Sequence, residues 1–140
     1  MARFLPYPAT VSTAALTSRP SILVAEGQPE LREVLRHLLQ DSYEVSFAGD
    51  GVEAVRAILR APPDLILLDL HLARLDGLMA LEVVRATSGD VPVVLTSCVA
   101  DSMIRSAAAR LGVSAVLRKP FSNAELLEAL AQATRSVSPA

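Results

Sequence analysis

Four polar residues in this chain follow short apolar runs. Glu26 comes after Ile22-Leu23-Val24-Ala25, Asp69 after Leu65-Ile66-Leu67-Leu68, Ser97 after the run that opens with Val93-Val94-Leu95, and Lys119 after Val116-Leu117. Brought together, they would form a carboxylate pair, a hydroxyl and an ammonium. That set of groups suits the movement of a phosphoryl group onto Asp69. A carboxylate can serve as the accepting nucleophile. Because the transfer concentrates negative charge, the remaining work is positioning and electrostatic stabilisation. A divalent cation between the acids would supply part of it, Lys119 would meet one phosphoryl oxygen as a point charge, and Ser97 would donate to another. Asp69 is the most telling of the four. A carboxylate after four apolar residues serves no purpose in a strand, so it needs a partner or a task.

An alternating β/α chain would gather these residues, because the carboxyl ends of parallel strands share one edge and ligands bind there. The pattern from Ser21 onward alternates in this way. Ser21–Ala25 reads as a short buried strand, and Pro29 suits the first turn of the helix that follows. Leu31, Val34, Leu35, Leu38 and Leu39 make that helix's apolar stripe. Tyr43–Ala48 is a second strand. Asp50 with Glu53 then forms a capping box for a helix whose inner face carries Val52, Val55, Ile58 and Leu59. Pro62-Pro63 ends it, and Asp64–Asp69 is the most apolar strand. Asp76-Gly77 turns into a helix bearing Leu78, Leu81 and Val84. Val91–Ser97 is the fourth strand, Asp101 caps a helix that Gly112 terminates, and Ser114–Leu117 is the fifth strand. Ser122 with Glu125 opens the last helix, along which Leu126, Leu127 and Leu130 are apolar. Five β/α units predict a three-layer α/β domain with right-handed crossovers over residues 21–134. Residues 1–20 read as a flexible N-terminal extension and 135–140 as a tail.

Composition agrees and excludes several classes. The chain of 140 residues is long enough for one cored domain, and 51% hydrophobic against 20% charged residues argues against disorder. A net charge of -2 gives no broad positive field for nucleic acid or an anionic membrane. No apolar stretch reaches the roughly 20 residues of a membrane span. The one cysteine, Cys98, cannot form an internal disulfide, which fits a reducing cytoplasmic compartment. The acid-poor, hydroxyl-rich start carries only Arg3 and Arg19 before Glu26, which is thin support for a transit peptide.

These segments resemble the response-regulator receiver domains of two-component signalling. The likeness rests on Ile22-Leu23-Val24-Ala25-Glu26 with Pro29 and Arg32, Pro63-Asp64 through Asp69, Asp76-Gly77, Pro92 through Ser97, and Lys119-Pro120-Phe121. It implies a doubly wound, flavodoxin-like five-stranded parallel sheet of order 2-1-3-4-5 with five helices. It also makes Asp69 the phosphoacceptor, with Ser97 and Lys119 as the matching hydroxyl and lysine. Thr96 competes for the hydroxyl role, but adjacent strand residues face opposite ways and the ungapped register from Asp69 to Lys119 selects Ser97. By the same resemblance, Mg²⁺ would be held by Glu26, Asp69 and the backbone carbonyl of His71, and Lys119-Pro120 would be a cis peptide bond. The expected partners are a histidine kinase or phosphotransfer protein and a downstream protein target, with a homodimer face on the last two helices and fifth strand. Such a domain is not an enzyme beyond self-catalysed phosphotransfer and dephosphorylation.

The chain also departs from the pattern. Gly27 replaces a second acid that is a direct metal ligand, so Mg²⁺ binding is expected to be weakened rather than abolished. Val116 stands where receivers usually carry Tyr or Phe, and a stiff valine cannot reproduce an aromatic rotamer swing. Ala73 replaces a frequent proline. These changes motivate an alternative: a degenerate pseudo-receiver that binds proteins without phosphorylation. Other layouts fit less well. Glu26-Gly27-Gln28-Pro29 lacks the glycine pattern of a dinucleotide site, and His71 stands where a haloacid-dehalogenase-type phosphatase needs a second Asp. His71 and His37 read as solvated, Cys98 as a small core residue, and Met79 and Met103 as packing.

Overall fold

The computed structural model describes residues 19–99 and 101–135. The expectations for the N-terminal extension and the tail therefore fall almost wholly outside the described residues. Ten elements alternate: β1 (Ser21–Ala25), α1 (Pro29–Leu39), β2 (Glu44–Ala48), α2 (Gly51–Arg60), β3 (Leu65–Asp69), α3 (Gly77–Ser88), β4 (Val93–Ser97), α4 (Ser102–Arg110), β5 (Ala115–Arg118) and α5 (Asn123–Arg135). The strands form one parallel sheet in the order β2-β1-β3-β4-β5, as expected of a doubly wound fold. Strand starts are the main correction. Tyr43, Asp64, Val91 and Ser114 precede their strands, and β5 runs on to Arg118. Asp64 instead accepts hydrogen bonds from the backbone N–H and hydroxyl of Ser21, tying the start of β3 to β1.

Strand alternation divides the core into two layers. Leu23, Ala25, Ile66, Leu68, Val93 and Leu95 pack with Ala54 and Ile58 of α2, Leu81 and Val84 of α3 and Ala108 of α4. Ile22, Val24, Leu65, Leu67 and Val94 pack with Leu35 and Leu39 of α1 and Leu126 and Leu130 of α5. Each central strand is thus buried on both faces, as its continuous apolar run requires.

Local chemistry starts and stops the helices where the sequence indicates. Asp50, Asp76 and Asp101 each accept an N–H from three residues on, at 2.8, 3.0 and 2.9 Å. Ser122 and Glu125 exchange reciprocal bonds of 3.0 and 2.9 Å. In the first box, Glu53 reaches back to the N–H of Gly49 rather than of Asp50. Gly112 follows α4 with φ +68°, the left-handed conformation that a glycine C-cap supplies.

Several apolar assignments are corrected. Val34, Leu59 and Leu127 are exposed, as are Met79 and Met103, the last at 80%. One step along a helix turns a side chain by about 100°, so Val34 and Leu59 leave the stripes to which their neighbours Leu35 and Ile58 belong. Cys98 is exposed and not a core residue, because it follows β4 rather than lying within it.

Candidate functional site

The edge formed by the strand carboxyl ends gathers all four residues. Glu26 directly follows β1, and its N–H donates to Ala48 O at 3.0 Å, continuing the ladder. Asp69 and Ser97 are the last residues of β3 and β4. Lys119 follows β5, with its N–H on Ser97 O at 2.8 Å. The Lys119-Pro120 peptide is cis, as the resemblance implied.

Lys119 is the hinge of the arrangement. Its ammonium donates to Glu26 Oε1 at 2.9 Å and to Asp69 Oδ2 at 3.1 Å. Both carboxylates are almost wholly buried, at 3% and 5% exposure. Each also accepts a backbone N–H: Gln28 to Glu26 Oε2 at 3.1 Å and His71 to Asp69 Oδ1 at 3.0 Å. Burial pushes the Lys119 ammonium down, but the hydrogen bonds and charges of Glu26 and Asp69 outweigh it and leave its pKa raised. Two acids sharing one cation leave a net charge of one minus in a shielded pocket. That excess of negative charge is electrostatically suited to further positive charge.

The hydroxyl is placed differently. Among its hydrogen bonds, the Ser97 hydroxyl donates to Val99 O at 2.6 Å and accepts from Val99 N at 3.0 Å. Its third neighbour is His71 Nε2, at 3.3 Å. Ser97 Oγ therefore faces the β3–α3 loop, while Thr96 is also buried but pairs in register with Asp69. His71 is exposed, as read from the sequence, yet its ring reaches the site; its spacing two residues past Asp69 was the available signal.

At the site, glycine is required at one position and not at another. A Cβ on Gly77 would lie 2.4 Å from Asp69 O, so only glycine lets α3 begin against the end of β3. Gly27 is different: a Cβ there would meet only Gly49 O, at 3.6 Å, an ordinary contact. The missing acid is therefore not excluded by space. Beside Lys119, a cavity of about 390 Å³ is lined by Gln28, Leu31, Cys98, Pro120 and Phe121. Val116, in the aromatic's place, is half-buried against the α2–α4 layer.

Comparison with known proteins decides what this edge belongs to. The family model described as the response regulator receiver domain matches residues 22–131. The chain belongs to the response-regulator receiver family. Response regulator MprA of Mycobacterium sp. (strain KMS) is 36% identical over 119 residues, covering 84% of this chain and 52% of MprA. The DNA-binding response regulator MtrA of Mycolicibacterium smegmatis is 35% identical over 112 residues, 79% of this chain and 49% of MtrA. The chain thus spans about half the length of these curated relatives. Among solved structures, the receiver domain of the sensor histidine kinase PA1611 from Pseudomonas aeruginosa PAO1, with magnesium coordinated in its active-site cleft, is 31% identical with a TM-score of 0.76. It covers 84% of this chain and 99% of that one. The Francisella response regulator 1452 receiver domain shares the fold with a TM-score of 0.79 at 24% identity, over 86% of this chain and all of that one. No helix among the described residues of this receiver is long and apolar enough to cross a membrane.

Proposed function

We propose that this receiver accepts a phosphoryl group on Asp69 from a phosphohistidine of a histidine kinase or phosphotransfer protein and signals by docking to a protein target. The observation that carries this is the buried Asp69 carboxylate sharing the Lys119 ammonium with Glu26. In the transfer, a carboxylate oxygen of Asp69 forms the new O–P bond as the N–P bond breaks. The electron pair stays on the leaving imidazole nitrogen, which takes a proton from water. Lys119 stays beside the nucleophile and meets charge on the transferred group. The cavity beside Lys119 gives the donor's side chain an apolar approach.

Among the described residues, no group of three or more acidic, His or Cys side chains could hold a metal. Magnesium needs only one or two carboxylates with waters, so the donor set fits. Glu26, Asp69 and the His71 carbonyl would hold it, more weakly than two adjacent acids plus Asp69 would. When bound, Mg²⁺ would supply two further positive charges beside the Lys119 ammonium. Cytoplasmic location and a dimer face on α4, β5 and α5 belong to the same reading.

Intact mass after incubation with acetyl phosphate, with and without Mg²⁺, tests the proposal. A magnesium-dependent gain of one phosphoryl group, lost in Asp69→Asn, supports it. No gain in folded protein favours phosphorylation-independent docking, the reading that Gly27 and Val116 motivate. In that case Asp69→Asn would also leave partner binding intact.

A further inference from the structure

The Ser97 hydroxyl fixes what the His71 ring must be. A hydroxyl has one proton to give and two lone pairs. At 2.6 Å from Val99 O, a group that can only accept, the proton is spent there. Val99 N–H takes one lone pair. The contact with His71 Nε2 at 3.3 Å is then a bond in which the ring nitrogen donates. His71 thus presents an N–H at the site.

The surroundings hold that N–H in place. Leu70 and Leu72 are buried in the core on either side of His71, so the backbone between them is pinned and the imidazole points outward. The N–H of His71 is on Asp69 Oδ1 at 3.0 Å. Further along the loop, Arg74 takes a left-handed φ of 68° and pairs with Asp50 at 3.2 Å. The residue therefore spans the two strand ends, backbone on the Asp69 carboxylate and ring on the β4 hydroxyl.

We infer that the His71 imidazole is a phosphoryl-binding donor, its Nε2–H leaving Ser97 for an oxygen of the group carried by Asp69. The inference rests on Asp69 being the acceptor. A phosphoryl group on Asp69 brings further negative charge to a pocket whose single ammonium is already shared by two carboxylates. In this structure the Ser97 proton lies on Val99 O at 2.6 Å, whereas the ring N–H would give up only a bond of 3.3 Å. His71 is exposed, so its ring can turn without unpacking the core. No proton is transferred by His71: it donates a hydrogen bond to the phosphoryl oxygen, and the covalent step is unchanged.

The test compares the initial rate of phosphorylation by acetyl phosphate at saturating Mg²⁺ for wild type, His71→Ala, His71→Leu and His71→Gln, followed by intact mass. Thermal unfolding confirms that each variant folds. Glutamine keeps an N–H donor at nearly the reach of Nε2; alanine and leucine do not. A charge-assisted hydrogen bond to the transferred group implies about a tenfold loss in the alanine and leucine variants, with glutamine recovering most of it. Alanine or leucine rates equal to or above wild type overturn the inference and leave His71 as a restraint on Ser97. Failure of glutamine to recover the rate overturns it as well. If wild type itself gains no phosphoryl group, the acceptor reading falls first and the inference with it.

Discussion

Replacing Lys119 with methionine tests whether charge balance holds the site together. Glu26 Oε1 lies 2.9 Å and Asp69 Oδ2 3.1 Å from Nζ, so these oxygens are at most about 6 Å apart. Two unit charges at that separation repel by about 2.8 kcal/mol at an effective dielectric of ~20. Removing one partner of a fully buried ion pair costs roughly 3–5 kcal/mol. The Lys119 side chain retains 15% exposure, which admits some screening. A loss of about 2–4 kcal/mol follows for Lys119→Met, which for a domain of this size lowers Tm by roughly 8–15 °C. The assay is thermal unfolding at neutral pH with chelator present, so that no divalent cation replaces the ammonium. The decisive comparison adds Glu26→Gln. With one carboxylate neutralised, the repulsion disappears and the double variant should recover about 1–2 kcal/mol relative to Lys119→Met alone. A neutral effect of Lys119→Met, or a double variant at least as unstable as the sum of the singles, would show that charge balance does not hold the site together.

The alkaline limit follows from the same cluster. Because the folded Lys119 pKa is raised above the ordinary 10.5, its stabilisation is fully present below that value and is lost as pH rises through the folded one. The Tm gap between wild type and Lys119→Met should stay constant through neutral pH and narrow only in the strongly alkaline range; a gap that closes near pH 8 would contradict it. Gly27→Asp has room for its Cβ, and calorimetric titration should show Mg²⁺ binding roughly tenfold tighter, about 1.4 kcal/mol; unchanged affinity would show that position 27 does not face the metal. Gly77→Ala drives a Cβ to 2.4 Å from Asp69 O and should cost about 3 kcal/mol in urea unfolding, whereas a near-neutral result would mean the β3–α3 junction yields freely.

The fold was legible because each strand is a short apolar run and four of the five helices open on a side-chain cap seen in the structure. Asp69, Glu26, Ser97 and Lys119 could be placed at one edge from strand ends alone, since parallel topology does the gathering. What the sequence did not carry was orientation within the edge. The Ser97 hydroxyl turns toward Val99 and His71, a choice made by local backbone two residues on and by a loop across the sheet. Apolar runs do not mark strand starts where a polar or aromatic residue leads in, as at Tyr43, which is buried in the core layer that contains α1 without joining the ladder. The clasp by which Arg85 donates to the carbonyls of Gly89, Val91 and Leu111 has no sequence signature, because backbone acceptors carry no residue type. Exposed Met79, Met103 and Cys98 were misplaced for a related reason: apolar type alone does not say which turn of a helix or loop overhangs the sheet.

Locating the phosphoryl group itself tests most directly whether Asp69 is the acceptor. After treatment with acetyl phosphate and Mg²⁺, borohydride reduction converts an aspartyl phosphate to homoserine, and peptide mass mapping identifies the residue. Modification is expected at Asp69, dependent on Lys119 and absent from Asp69→Asn. Modification at Glu26, at another acid, or at none in the folded protein would contradict it.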